Sequence, residues 1–120
     1  MFSVVFQNHT IRRFSLLRWK MHKTGAQAAA DAGRLKELVE QASNVEVMIA
    51  PPFTALIQVG QALQGSRIAL GAQNLYWEPQ GAFTGEISPL MLQDLCTHVV
   101  LGHSERRAFF GENDAGETDR

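Results

Sequence analysis

The stretch VVLGHSERRAFFGE, residues 99–112, changes from apolar to polar at a single point. The apolar run ends at Gly102, His103 follows, and the next four residues are polar or charged. A core histidine would lie inside the run, and a surface histidine would not need the run at all. A buried strand that ends at a polar turn explains both parts, so we predict a strand over 97–102 with His103 just past its carboxyl end.

The same alternation of short apolar runs and helical patterns continues toward the N-terminus. Strands that alternate with helices indicate βα units around a parallel sheet, and continuous apolar runs indicate strands buried on both faces. Thr24, Ser88 and Ser104 are the N-cap candidates, Ser104 for a helix that starts at Glu105. The pattern predicts strands over 14–19, 45–50, 67–72 and 97–102, helices over 25–43, 53–64 and 89–95, and a loop over 73–88.

Two candidate site residues follow predicted strands at the same edge of the sheet. Lys20 comes just after the first strand and His103 just after the fourth. The loops at the carboxyl ends of parallel strands build the active sites of α/β folds, so we expect the two side chains to converge. The spacing alone leaves open that a lysine and a histidine stand there incidentally.

Composition limits the classes of function. The 120 residues suffice for one modest domain, and a formal net charge of -1 gives no general attraction to nucleic acid or to an anionic membrane. Cys96 is the only cysteine, which excludes an internal disulfide. No apolar run approaches the roughly 20 residues that a membrane span needs. We therefore expect a protein with no nucleic-acid or membrane partner, and no metal-site spacing is present.

Residues 1–13 read as an atypical N-terminal extension. Every charged residue before Asp31, the first acidic residue, is basic, and this bias is typical of an organelle transit peptide. Gln7, Asn8 and His9 interrupt the apolar part, so no clean secretory core is present. An extended or artefactual N-terminus is the plainer interpretation.

Five ordered motifs carry a resemblance to a known family. They are WKMHKT (19–24), APPFTAL (50–56), GAQN (71–74), GAFTGEIS (81–88) and LGHSERR (101–107). Together they resemble the N-terminal half of the triosephosphate isomerases. The resemblance implies an α/β fold of the (β/α)8 TIM-barrel family with only about the first four βα units present, a half barrel over 14–112. Residues 113–120 form a polar tail, which we expect to fray.

The resemblance also implies an activity and roles for three residues. The family interconverts dihydroxyacetone phosphate and glyceraldehyde 3-phosphate through an enediol intermediate, in glycolysis and gluconeogenesis, in the cytoplasm and without a cofactor. His103 would be the electrophile that polarises the carbonyl, kept neutral by a neighbouring helix N-terminus. Lys20 would bind the phosphorylated triose and stabilise the enediolate. Glu105 would partner the lysine and shape the site rather than act as the base.

A homodimer through loop 73–88 is a further implication of the resemblance. In the family this loop packs against the active site of the partner subunit, with the threonine at Thr84 at its tip. The dimer contacts implied for this chain are Gln73, Asn74, Thr84 and Glu86. A solvent-exposed flexible loop is the alternative, although so apolar a loop usually covers something.

Two departures from the family pattern affect the expected activity. Arg18 stands where the family has an asparagine that helps bind substrate, and an arginine can contact phosphate but cannot reproduce the amide's geometry. The family's catalytic glutamate and lid belong to the half of the barrel that these motifs do not include. We therefore expect negligible isomerase activity from this chain alone, exposed sheet edges, and, as an alternative function, a non-catalytic remnant or a barrel-half interaction module.

Overall fold

Parallel strands joined by helices make up the computed structural model, which describes residues 3–6, 14–42, 45–101 and 103–111. The strands confirm the four predicted from apolar runs and add one more. The helices fall where the 3.6-residue pattern placed them. In chain order the elements are β1 (Ser3–Phe6), β2 (Phe14–Arg18), α1 (Gly25–Glu40), β3 (Glu46–Ala50), a 3-10 turn (Phe53–Ala55), α2 (Leu56–Ala62), β4 (Ala69–Ala72), α3 (Pro89–Leu92), β5 (His98–Leu101) and α4 (Ser104–Phe109).

The strands form one sheet in the order β1-β5-β4-β3-β2, and every neighbouring pair is parallel. From β2 to β5 each strand lies beside the next strand in the sequence, as expected for successive βα units. The register pairs Arg18 with Ala50 and Ala72 with Val99. This arrangement confirms the half barrel of four βα units that the sequence predicted.

Strand β1 corrects the expectation that both edges of the sheet are unpaired. It lies parallel to β5, with Ser3 opposite His98 and Phe6 opposite Leu101. The pairing satisfies main-chain groups that an open edge would leave to solvent or to another chain. Sequence reasoning missed this strand because a four-residue apolar run carries no usable period. The extension predicted over 1–13 therefore holds a strand of the sheet.

The helix ends follow from side-chain caps that the sequence partly revealed. Thr24 caps α1: its hydroxyl accepts from the Gln27 N–H at 3.4 Å, and the Gln27 side-chain oxygen accepts from the Thr24 N–H at 3.0 Å. Ser88 caps α3 by accepting from the Met91 N–H at 3.3 Å. Helix α1 ends at Glu40, earlier than predicted. The Arg67 guanidinium donates to the Val39 carbonyl near this end at 2.7 Å.

The N-cap of α4 is one residue earlier than predicted. The helix begins at Ser104, and His103, with φ −62° and ψ 131°, holds the N-cap position without a side-chain cap. The Ser104 hydroxyl instead donates to Glu105 Oε2 at 3.3 Å. Because the chain leaves its extended conformation at His103, the imidazole lies at the junction of β5 and α4.

Alternating strand residues divide the core into two clusters. The larger cluster lies between the sheet and the helices and includes Ile49, Leu56 and Val99. The smaller one fills the concave face of the sheet, where Met48, Ala50 and Val100 are buried and Leu16 and Ala69 pack against them. A Cβ on Gly71 would lie 2.9 Å from the Met48 sulfur, so glycine here lets methionine fill the concave face.

The described part of the chain contains no helix long and apolar enough to span a membrane.

Candidate active site

A single carboxylate joins the two residues that the sequence placed at the carboxyl ends of strands. The Lys20 ammonium forms an ion pair with Glu105 Oε1, and His103 Nδ1 contacts Glu105 Oε2. Lys20 follows β2 at one edge of the sheet, whereas His103 follows β5 on the far side of β3 and β4. The curvature of the sheet therefore brings the ends of these strands together around Glu105.

The backbone of Lys20 is in the left-handed region, with φ 47°. A residue with a β-carbon adopts this conformation at a cost of about 1 kcal/mol or more, so the surrounding structure must hold it. The Gln73 side-chain amide donates to the Lys20 carbonyl at 3.0 Å and to the Ala50 carbonyl at 2.9 Å. This one amide ties the turn after β2 to the ends of β3 and β4.

Gln73 is thus a positioning residue that the sequence analysis did not identify as one. Its place directly after β4, in the motif GAQN, was the available signal. The hydrogen-bond partners are carbonyl groups far away in the sequence, and only the folded backbone shows them. The dimer role expected for Gln73 stays a prediction.

The ion pair between Lys20 and Glu105 is open to solvent. Relative exposure is 53% for the Lys20 side chain and 38% for that of Glu105. Exposed pairs of this kind contribute about 0.2–1 kcal/mol. The ammonium can therefore leave the carboxylate for a ligand anion at little energetic cost.

His103 is buried, with a relative exposure of 8%. Burial lowers the pKa of its imidazole below the usual 6.5, and the positive charges of Arg18, Lys20 and Arg106 lower it further. The neutral ring expected from the sequence is thus also favoured here. Burial is the largest cause of the lowered pKa and the neighbouring cations follow, whereas the contribution expected from the helix N-terminus stays a prediction.

The contact with Glu105 decides where the neutral ring keeps its proton. A carboxylate accepts, so His103 Nδ1 donates to Glu105 Oε2 and the neutral ring has no proton on Nε2. In this arrangement Nε2 is an acceptor. An electrophilic role through Nε2–H requires the contact between Glu105 and His103 to break.

Arg18 is the last residue of β2, and its side chain lies on the concave face of the sheet, at the end where the site is. Leu16, two residues earlier, packs on the concave face, and alternation along a strand places Arg18 on that face as well. Its Nη1 atom is buried and has no hydrogen-bond partner within the described residues. The site therefore contains a buried cationic donor without an acceptor.

Loop 73–88 is a packed structure. The Tyr76 N–H donates to the Ile87 carbonyl at 2.8 Å and closes the loop at its base. The Tyr76 ring lies 4.2 Å from that of Trp77 and 4.6 Å from that of Phe83 between centroids. This aromatic cluster argues against the alternative of a flexible loop.

The four residues implied as dimer contacts occupy two different places in this loop. Gln73 and Asn74 lie at the base, where Asn74 is buried. Thr84 and Glu86 are exposed near the tip, where the Glu86 N–H donates to the Phe83 carbonyl at 3.0 Å. Thr84 and Glu86 are thus accessible to a partner as the loop stands, whereas Asn74 is not.

Groups of three or more metal-ligating side chains are absent from the described ranges. The site thus consists of a lysine, an arginine and a histidine around one carboxylate. Such a set can bind an anion, donate hydrogen bonds to developing negative charge, and hold a proton on an imidazole.

Comparison with known proteins gives a consistent result. A family model described as triosephosphate isomerase matches residues 14–118. The triosephosphate isomerase of Pelobacter propionicus is 56% identical over 99 residues, which are 82% of this chain and 39% of that protein. That of Carboxydothermus hydrogenoformans is 56% identical over 97 residues, 80% of this chain and 39% of that protein.

A solved structure agrees in fold. The crystal structure of triosephosphate isomerase from Bartonella henselae superposes with a TM-score of 0.80 at 36% sequence identity. The superposition covers 88% of this chain and 44% of that chain. The present chain thus spans about two fifths of the length of the relatives that it matches.

Proposed function

The chain belongs to the triosephosphate isomerase family, and we propose that it supplies one part of a site that interconverts dihydroxyacetone phosphate and glyceraldehyde 3-phosphate through an enediol intermediate. The observation that carries this proposal is the convergence of Lys20 and His103 on Glu105 at the carboxyl end of the sheet. On this proposal the chain acts in glycolysis and gluconeogenesis, in the cytoplasm.

Lys20 binds the substrate by exchanging one anion for another. In the free site its ammonium pairs with Glu105, and the exposure of that pair keeps the exchange inexpensive. With substrate bound, the ammonium faces the phosphate and the oxygen that becomes negative in the enediolate. A compact ammonium suits this role because it approaches an anion as a point charge.

His103 polarises the substrate carbonyl as a neutral donor. Its lowered pKa keeps the ring uncharged near neutral pH. The proton must move from Nδ1 to Nε2, so we propose that substrate binding breaks the contact of Glu105 with Nδ1. One preorganised donor of this kind contributes about 3–4 kcal/mol to stabilising an oxyanion.

Removal of the carbon-bound proton requires a base that is free to accept it. Glu105 is engaged by both Lys20 and His103, which favours a positioning role for this carboxylate. The resemblance assigns the base to a glutamate in the other half of the barrel. We therefore propose that this polypeptide alone has negligible activity and that catalysis needs the remaining βα units.

The proposed assembly is a homodimer through loop 73–88. The aromatic cluster of Tyr76, Trp77 and Phe83 gives the loop a fixed shape, and Thr84 and Glu86 are exposed near its tip. A preformed apolar projection of this kind fits a protein surface better than it fits open solvent.

An assay with two polypeptides tests the catalytic proposal. The 120-residue chain is measured in a coupled isomerase assay, alone and mixed with a polypeptide that carries the remaining part of the Pelobacter propionicus relative. We expect no measurable turnover alone, turnover in the mixture, and loss of that turnover in Lys20→Gln. Arg34→Gln removes a charge from an exposed position on α1 and should leave turnover unchanged.

Two outcomes would count against this proposal. If the chain alone turned over substrate at the rate of the complete relative, the predicted inactivity of the chain would be wrong. A mixture that forms a stable complex without turnover would favour the alternative of a non-catalytic barrel-half interaction module, for which the edge pairing of β1 with β5 is the supporting observation.

A further inference from the structure

Arg18 holds an unsatisfied cationic donor inside the candidate site. Its Nη1 is the one buried side-chain nitrogen or oxygen atom without a hydrogen-bond partner in the described part of the chain. Leaving a buried donor without an acceptor costs about 1–3 kcal/mol, and more when the group is charged. Native structures rarely contain such a group without a reason, and one reason is a ligand that supplies the acceptor.

The position of Arg18 in the sheet directs it toward the site. It is the last residue of β2 and stands in register with Ala50, the last residue of β3. Ala50 is fully buried on the concave face of the sheet, together with Met48 and Val100. The guanidinium thus lies where strands β2 and β3 end, beside the turn that carries Lys20.

The charges around His103 are unbalanced. Arg18, Lys20 and Arg106 all act on the imidazole as positive charges, whereas the carboxylate of Glu105 is the anion that contacts it. Glu105 is already shared between Lys20 and His103. Nothing in this set pairs with Nη1 of Arg18, so the site has capacity for a further anion.

We propose that Arg18 is a ligand-binding residue, whose buried Nη1 donates to an oxygen of a phosphate monoester held between Arg18 and Lys20. This inference deepens the proposed function and rests on it, since it concerns the same site. A dianionic phosphate has acceptors for both cations, and a guanidinium suits it because its donors lie in one plane.

Binding of inorganic phosphate, the probe, tests this inference. Phosphate is titrated into the 120-residue chain at constant ionic strength, and the dissociation constant is read from the NMR shifts of the site. We expect Arg18→Gln to weaken binding about tenfold, which corresponds to about 1.4 kcal/mol. Arg18→Lys keeps the charge without the planar donors, so its phosphate affinity should lie between that of Arg18→Gln and that of the unmodified chain.

The control is Arg34→Gln, which removes the same charge from an exposed position on α1. It should leave phosphate affinity within twofold of the unmodified chain. If Arg18→Gln does not fold, as judged by its thermal transition, Arg18→Lys alone decides the question. Equal affinities of Arg18→Lys and the unmodified chain would then overturn the inference.

Lys20→Gln separates this inference from the proposed function. Weaker binding in Lys20→Gln with unchanged binding in Arg18→Gln would overturn the role of Arg18 and leave the proposed function standing. Weaker binding in Arg18→Gln alone would support the inference and remove Lys20 from the proposed phosphate contact. If the unmodified chain binds no phosphate, or both variants bind as it does, the inference is wrong.

Discussion

Each group of the candidate site changes the chemistry of its neighbours. Glu105 contacts both Lys20 and His103, and the burial of His103 lowers the pKa of its imidazole. The sequence placed Lys20 and His103 at strand ends, which was sufficient to predict that they converge. It could not show that Glu105 contacts Nδ1, that Arg18 has a buried donor, or that Gln73 holds the Lys20 turn, because each depends on side-chain geometry across the sheet.

The titration of His103 follows from this environment. We expect its pKa, measured by NMR, to lie below 6.5 and to rise in Arg18→Gln, since that variant removes a positive charge facing the ring. Arg34→Gln, whose charge lies on α1, should leave the His103 titration unchanged. A titration midpoint above 6.5 in the unmodified chain would contradict the account of this site.

The lowered pKa of His103 also makes stability depend on pH. The folded state resists protonation of this ring, whereas the unfolded state accepts the proton at the ordinary pKa of 6.5. The free energy of unfolding should therefore fall as pH falls below about 6.5. Denaturant titrations between pH 7.5 and about 5 measure this, and His103→Gln should show a shallower slope than the unmodified chain.

At the scale of the elements, the apolar runs and helical periods of the sequence predicted β2 to β5 and the helices between them. Several ends agree and the others differ by up to three residues; at the C-terminal end of α1, for example, the Arg67 guanidinium donates to the Val39 carbonyl. The cap of α4 was misplaced by one residue, at His103. Strand β1 was missed because its position depends on a distant partner, β5.

The cap of α1 has a measurable effect. Thr24→Ala removes the acceptor for the Gln27 N–H and should lower the free energy of unfolding by about 1 kcal/mol. Thr54, exposed in the 3-10 turn, provides the matched control as Thr54→Ala. Equal effects of the two substitutions in denaturant titrations would show that the Thr24 cap does not stabilise α1.

For the whole molecule, the sheet has two edges, and β1 covers the one at β5. The chain spans about two fifths of the length of the relatives it matches, and the order of its strands fits a half barrel. Topology, rather than any local pattern, brings the ends of β2 and β5 together. The fold class could be predicted from the sequence motifs, whereas strand β1 could not.

Removal of β1 should expose the edge of β5. A variant that lacks residues 1–6 leaves the main-chain groups of His98–Leu101 unpaired on that side, and open edges promote association between chains. We expect this variant to shift toward larger species in sedimentation velocity as its concentration rises. An unchanged distribution would mean that β1 does not protect the edge.

Lys20 and Glu105 lie far apart in the sequence and meet at one site. A carbodiimide joins an amine to a carboxylate only when the two are in contact, and mass spectrometry then locates the new amide bond. The ion pair of Lys23 with Asp31 serves as an internal control. We predict both links, Lys20–Glu105 and Lys23–Asp31, in the folded chain and the loss of the first in denaturant. The Lys23–Asp31 link without the Lys20–Glu105 link in the folded chain would contradict the account.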